Sequence, residues 1–215
     1  MINPTNPNLT YDDATHIYKI DGERVPSITQ VLGASNIQDD AYWSEESAER
    51  GRRVHKAIEL DIKDRLRPVD DLDSHTKGCL LSWWKFRGDN PGEVVATETK
   101  LCDPVLRFAG RMDILYQWEG ELCSGSRFGV IDIKTGQAQD WHALQTAAQV
   151  RLVLANQERV FGYPSNIRSL RRTTLYLNKT GYKVSVHTDP NDWAVFQSAL
   201  TLAHWRNTNG KCTGS

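Results

Sequence analysis

Apolar positions recur every four residues at Val54, Ile58 and Ile62, and this spacing predicts a long helix from about Ser44 to Leu66. A neighbouring stripe at the same spacing holds Gly51, His55 and Glu59. A second helix is predicted over residues 74–87, carrying Leu80, Leu81 and Trp84 with the flanking aromatics Trp83 and Phe86, and Asn90-Pro91-Gly92 breaks it. Strand-like runs follow at Val94–Leu101, Val105–Trp118 and Gly129–Lys134, with a Gly- and Ser-containing loop at residues 119–127 between the last two. Trp141 to about Asn156 reads as a helix that Asp140 can cap, with Leu144, Ala148 and Leu152 facing inward. Residues 173–178 and 182–187 read as a hairpin turned at Lys179-Thr180-Gly181. Asp189-Pro190 starts a last helix whose core stripe is Trp193, Phe196, Leu200 and Ala203.

The N-terminal part is shorter-ranged. Residues 1–10 read as a loose, turn-rich lead, and His16-Ile17-Tyr18-Lys19-Ile20 then alternates into the turn Asp21-Gly22, with Arg24-Val25 beyond it. This predicts a small β-hairpin. Ser27 can N-cap a short helix through Leu32, ahead of Gly33. The order of elements predicts one α/β or α+β domain over 1–215, a mixed sheet flanked by helices. Residues 1–33 are its N-terminal decoration and 44–207 its core.

Composition narrows the function classes. The chain has 215 residues, 39% hydrophobic and 25% charged, and a formal net charge of −1, which is ordinary globular material. Any basic surface must therefore be local. No apolar run approaches the ~20 residues that span a bilayer, and the polar, proline-broken start is unlike a signal peptide. Cys79, Cys102, Cys123 and Cys212 are scattered without a Cys-x-x-Cys pair, so a reduced, cytoplasmic setting is expected rather than a zinc or redox site.

The chemistry gathers at Gly129-Val130-Ile131-Asp132-Ile133-Lys134. Alternation sends Asp132 and Lys134 out by one face of this strand and Ile131 and Ile133 by the other. Burying a charge is costly unless it is compensated, so the pair needs a metal, a phosphate or an ion-pair network. In the preceding strand Met112 and Ile114 are expected to face one way, and Asp113 the other way with Arg111. If the two strands pair, Asp113 stands beside Asp132 and Lys134. Two converging carboxylates suit Mg²⁺ or Mn²⁺, and a nearby lysine can orient a water or offset charge on a phosphate. A strand-end salt bridge is the plainer account of any one of these residues.

His55 lies among Arg50, Arg52, Arg53 and Lys56, either a solvated helix face or a patch that tracks phosphates. Gly51 leaves room for close approach on the same face. Gln145 and Gln149 lie one turn apart on a polar helix side, and Arg168, Arg171 and Arg172 read as a solvated loop that could also touch a DNA backbone.

Together these residues resemble the PD-(D/E)XK nuclease superfamily, in particular the small phage-type members of its RecB-like exonuclease branch. The matching motifs are Gly51 to His55, Gly110 to Asp113, Asp132-Ile133-Lys134, and Gln145 of a Gln-x-x-x-Tyr helix in which Gln149 replaces the tyrosine. The lead His16-x-Tyr18 … Gly22 … Pro26-Ser27-Ile28-Thr29 is also similar to phage members, so the resemblance covers essentially the whole chain.

The resemblance implies a restriction-endonuclease-like core and a Mg²⁺- or Mn²⁺-dependent deoxyribonuclease, an exonuclease processing DNA ends in recombination or replication. It implies that His55, Asp113, Asp132 and the backbone carbonyl of Ile133 hold one or two ions, with Glu98 as a further candidate. Lys134 would position the attacking water, and Gln145 would brace the site. Arg52, Arg53, Lys56 and Gln149 would contact DNA. The iron–sulfur cysteine pattern and helicase motifs of larger members are absent, so no cluster is expected and any unwinding falls to a partner, a helicase or an annealing protein. A non-catalytic DNA-binding subunit and an endonuclease of the same superfamily are the alternatives.

Overall fold

The computed structural model describes residues 9–37, 44–66, 69–120, 126–163 and 165–209. The lead at 1–8, Cys123, Cys212 and residues 121–125 of the expected loop lie outside them.

Turn chemistry and capping organise the N-terminal region. Asp21 and Gly22 have φ of 52° and 81°, the left-handed pair that a two-residue hairpin turn requires. They join β2 (Ile17–Ile20) to β3 (Glu23–Val25) as expected. The loose lead ends earlier than its composition implies, because β1 (Leu9–Asp12) pairs antiparallel with β2. Ser27 caps α1 (Ile28–Ala34) in a capping box with Gln30, and the helix runs on through Gly33. This segment is more than decoration. Tyr18, Ile20 and Val25 pack on Cys102 and Ala109 of the main sheet, and α1 places Ile28, Val31 and Leu32 in the main core.

The main sheet has five strands in chain order: β4 (Gly92–Asp103), β5 (Phe108–Trp118), β6 (Phe128–Lys134), β7 (Arg171–Asn178) and β8 (Gly181–His187). All neighbours are antiparallel except β6 and β7, which are parallel. That parallel pair needs a crossover, supplied by α4 (Trp141–Ala155) and the short α5 (Gln157–Phe161), which the periodicity does not announce.

Helices cover both faces. α2 (Glu45–Ile62) and α3 (Ser74–Asp89) bury Val54, Ile58, Leu80, Trp83 and Phe86 against Ile114, Ile131 and Ile133. α1, α4 and α6 (Asn191–Asn209) bury Leu32, Leu152 and Phe196 against Met112, Leu115 and Val130 on the other face. The molecule is thus a mixed α/β fold with a five-stranded sheet between two helical layers. Among the described residues no helix is long and apolar enough to cross a membrane.

Several local expectations need correction. α2 ends at Ile62, four residues before Leu66, and Asp64 just beyond has a left-handed φ of 54°. On α3 the indole of Trp83 is inside, while Leu81 and Trp84 are 48% and 39% exposed. Asp140 lies in the helical region and makes no side-chain cap bond. The loop between β4 and β5 takes residues 104–107, so the strand begins at Phe108 rather than Val105. Arg172 is tied down by Asp192 and by the carbonyl of Asp189, and Arg171 lies over the Trp118 ring at 4.9 Å, so both belong to β7 rather than to a solvated loop.

Candidate metal centre

The site begins with a break in strand alternation. Glu98, in the middle of β4, has φ of 48°, a left-handed conformation that is rare for a residue with a side chain in a strand. Thr97 pairs with Ile114 and Thr99 with Met112, so Glu98 stands opposite Asp113. At this step β5 changes phase: Met112 packs into the α1/α4/α6 layer and Ile114 into the α2/α3 layer. The two therefore do not share a face, contrary to simple alternation. The β5–β6 ladder also stops here, at Ile114 and Ile131. Asp113 takes the bond the ladder leaves open, its Oδ2 accepting from the Ile133 N–H at 2.8 Å.

His55 reaches the same backbone unit from α2. Its Nε2 lies 3.1 Å from the carbonyl oxygen of Ile133, and its Nδ1 lies 3.3 Å from Glu98 Oε1 and 3.7 Å from Asp113 Oδ2. Burial works against a charged imidazole, but the carboxylates of Asp113 and Glu98 outweigh it and lift His55 to about 9. Asp113 is raised by burial and by the negative charges of Asp132 and Glu98, with His55 opposing. His55, Glu98 and Asp113 each offer one ligand atom, and these atoms lie within 4.8 Å of one another. One nitrogen and two carboxylate oxygens are a donor set that suits a divalent cation.

Asp132, expected among the ligands, does not join this group. It leaves β6 on the α4 side and is fully buried there. Gln145 and Gln149 donate to its Oδ1 at 2.8 and 3.0 Å, and Lys134 Nζ lies 2.8 Å from its Oδ2. Lys134 rises from this pair to within 5.6 Å of the Trp141 ring. The hydrogen bonds of the expected set run two ways: His55 and Asp113 meet the backbone of Ile133 with Glu98 on His55, while Asp132, Lys134 and Gln145 bond to one another under α4, near enough that the charge of Asp132 raises Asp113 and that of Lys134 opposes a charged His55. Gln149, expected to contact DNA, is fully buried with its amide turned to Asp132.

The basic residues of α2 are paired in the fold. Arg50 pairs with Glu46, Arg52 with Glu45 and Glu49, Arg53 with Glu49 and Asp73, and Lys56 with Glu59. The chain interleaves these cations with acids, so the face is a laced, solvated surface. Arg52 and Lys56 nevertheless line a cleft of about 870 Å³ above the His55 group, joined by Lys63, Lys100, Arg111 and Tyr11. Exposed ion pairs are weak and yield to a competing anion. Arg53 does not line the cleft. Gly51 is not demanded by packing, since a Cβ there would meet Thr135 Oγ1 at an ordinary 3.7 Å.

Two features escape the sequence reading, and a third is weighted too lightly there. Tyr11 brings β1 to the cleft wall with Lys100 Nζ 4.1 Å over its ring. His142, 2.8 Å from the Tyr176 hydroxyl, is pushed down to about 4 by burial and by Lys134. Glu98 is central rather than peripheral, and its signal was available: a loop centred between Val105 and Leu106 puts residue 98 opposite residue 113.

No protein-family model matches this chain, and no curated protein matches it.

Proposed function

We propose that this chain is a metal-dependent nuclease with a PD-(D/E)XK core, of the RecB-like exonuclease type, that hydrolyses phosphodiester bonds at DNA ends. The observation that carries the reading is the convergence of His55, Glu98 and Asp113 within 4.8 Å at a cleft rimmed by Arg52, Lys56, Lys100 and Arg111. The Asp132–Lys134 pair flanks the same backbone unit, Ile133. Mg²⁺ or Mn²⁺ held there would acidify a bound water and offset charge on the scissile phosphate. The rim cations would draw the backbone of a DNA strand toward the cleft. Lys134 is the residue to hold the attacking water. A cytoplasmic setting and a recombination partner belong to the same reading.

The test uses end-labelled linear DNA and covalently closed circular DNA with Mg²⁺, Mn²⁺ or EDTA, beside Asp132→Ala and Lys134→Ala. Metal-dependent loss of linear DNA alone, abolished in both variants, is the expected result. Cleavage of the circle would make the enzyme an endonuclease. Survival of both DNAs with retardation in a gel would leave a DNA-binding subunit instead.

A further inference from the structure

The arginines at 168–172 part company in the fold. Arg171 lies over the Trp118 ring, Arg172 is held by Asp192, and Arg168 stands exposed with no ion pair among the described residues. Arg168 and Arg172 line a cleft of about 500 Å³ between α4, the segment before β7 and the start of α6, and Arg151 of α4 joins them. The floor of this cleft is hydrocarbon. Val150, Leu154 and Trp193 pack against the main core and stay half-buried, with Leu170 beside them.

The cations are fixed in place. Asp103 is 1% exposed, accepts from the N–H groups of Val105 and Leu106, and holds Arg151 by its Nε at 2.8 Å. The Arg151 guanidinium lies 6.0 Å from the Trp193 ring, and its side chain is still 41% exposed. Among the described residues one carboxylate lines the cleft, that of Asp189, and the Asn191 N–H donates to it. The arginines of α2 are each interleaved with acids, whereas Arg168 is not. The mouth of the cleft is therefore positive in a chain whose formal net charge is −1.

An apolar floor under a positive mouth selects an occupant that has both complements. A DNA backbone would use the arginines and leave the floor empty, whereas an apolar side chain seated there contributes about 25 cal/mol per Å² removed from water. Arginine binds carboxylates through charge-assisted, often bidentate bonds. Arg151 and Arg168 stand on different elements, α4 and the segment before β7. Their carboxylate partners must therefore be spaced on either side of the apolar group, as neighbouring side chains of a peptide are. We propose that this cleft docks an acidic peptide segment of a partner protein, which seats one large apolar side chain on Val150, Leu154 and Trp193 and pairs flanking carboxylates with Arg151 and Arg168. The cleft shares no residue with His55, Glu98 and Asp113, so the docking site goes beyond the nuclease reading and does not depend on it.

The experiment titrates the full chain into a fluorescein-labelled peptide, Ser-Glu-Glu-Leu-Phe-Glu-Glu-Ser, read by fluorescence anisotropy at low salt. Two control peptides replace Leu-Phe by Ala-Ala or the glutamates by lysines. Arg168→Glu, Arg168→Lys and Leu154→Gln run beside the wild type, and circular dichroism checks that each folds. Arg168 is exposed, so its variants carry the test even where Leu154→Gln does not fold.

The wild type should bind the peptide saturably, and more weakly as salt is raised. Arg168→Glu should weaken it at least tenfold, while Arg168→Lys stays within threefold of wild type. The Ala-Ala peptide and Leu154→Gln should each lose at least fivefold, and the lysine peptide should not bind. A wild type without saturable binding would overturn the proposal, as would Arg168→Glu within threefold of wild type. Equal binding of the Ala-Ala peptide would overturn it too, leaving a charged patch without a pocket. A short oligonucleotide bound in place of the peptide, and lost in Arg168→Glu, would overturn it in favour of a DNA contact. No arm reads DNA cleavage, so this proposal and the nuclease reading stand or fall separately.

Discussion

At the scale of single residues, the site is a balance of proton affinities. His55 is ordinarily half-protonated near 6.5 and is lifted to about 9 in the fold. Its charged form is favoured by folding, so its stabilisation is complete below about 6.5 and is lost as pH rises through 9. Asp113 is also raised, so its ionisation above the ordinary carboxylate range opposes folding in the same direction. His142 acts oppositely: held at about 4 against an ordinary 6.5, it withdraws stability as pH falls through that interval. Below about 6.5 the loss from Asp113 and the gain from His142 oppose each other, so the metal-free protein should hold its melting temperature up to about pH 6.5 and lose it from there toward pH 9. A divalent cation competes with the protons on His55 and Asp113, so the rise in melting temperature on adding Mn²⁺ should be larger at pH 8.5 than at pH 6. Thermal scans across pH, with and without Mn²⁺, check both trends. Glu98 adds a second prediction. Its left-handed backbone stores about 1–3 kcal/mol of strain, and asparagine adopts that conformation more readily. Glu98→Asn should keep or raise the melting temperature while weakening Mn²⁺ at least tenfold.

At the scale of elements, a glycine in the resembling motif has a packing reason. A Cβ on Gly110 would lie 2.6 Å from Ile28 Cδ1, 2.9 Å from its Cγ1 and 3.2 Å from Leu152 Cδ1. Gly110→Ala should thus cost about 1–3 kcal/mol through overpacking between β5, α1 and α4, measured by urea unfolding. Elements whose cause is local were legible in the sequence. Asp21-Gly22 turns a hairpin because both residues accept positive φ, and Ser27 and Ser44 cap helices through their own side chains. Elements whose cause is tertiary were not. Four residues of alternation at Leu9–Asp12 carry too little signal without their partner β2. The face that α3 buries depends on how it lies on the sheet, which is why Trp83 went in and Trp84 out. The candidate site divides the same way. The residues of the site could be picked out as a group, because charges in apolar strands stand out. Which of them meet at the Ile133 backbone could not, because Glu98 stands in a left-handed conformation and the β5–β6 ladder ends at Ile114 and Ile131, and alternation foresees neither.

At the scale of the whole molecule, a largely buried ion pair ties the start of α6 to the sheet. Arg172, at the start of β7, reaches Asp192 at 2.7 Å and the carbonyl of Asp189 at 2.7 Å, and both charged side chains are largely buried. Removing one member of a largely buried pair strands the other. Arg172→Met should lower stability by about 3–5 kcal/mol and loosen the N-terminal turn of α6 first, seen as early proteolysis near Asp189. The cation group is built on α2, β4 and β5 and shares no residue with this pair, so a folded Arg172→Met protein should retain Mn²⁺ binding within threefold.

The bond between the Ile133 N–H and Asp113 has a consequence of its own. A side-chain oxygen there does the work of a strand, so the amide proton of one core residue is guarded by a group that ligands compete for. Ile131, two residues away, remains in the ladder with Ile114. Deuterium exchange followed amide by amide should show Ile133 accelerating when Mg²⁺ is added and in Asp113→Ala, with Ile131 unmoved in the first case. Position 133 thus carries an isotopic clock in the backbone that reads the occupancy of the site without substrate, label or turnover.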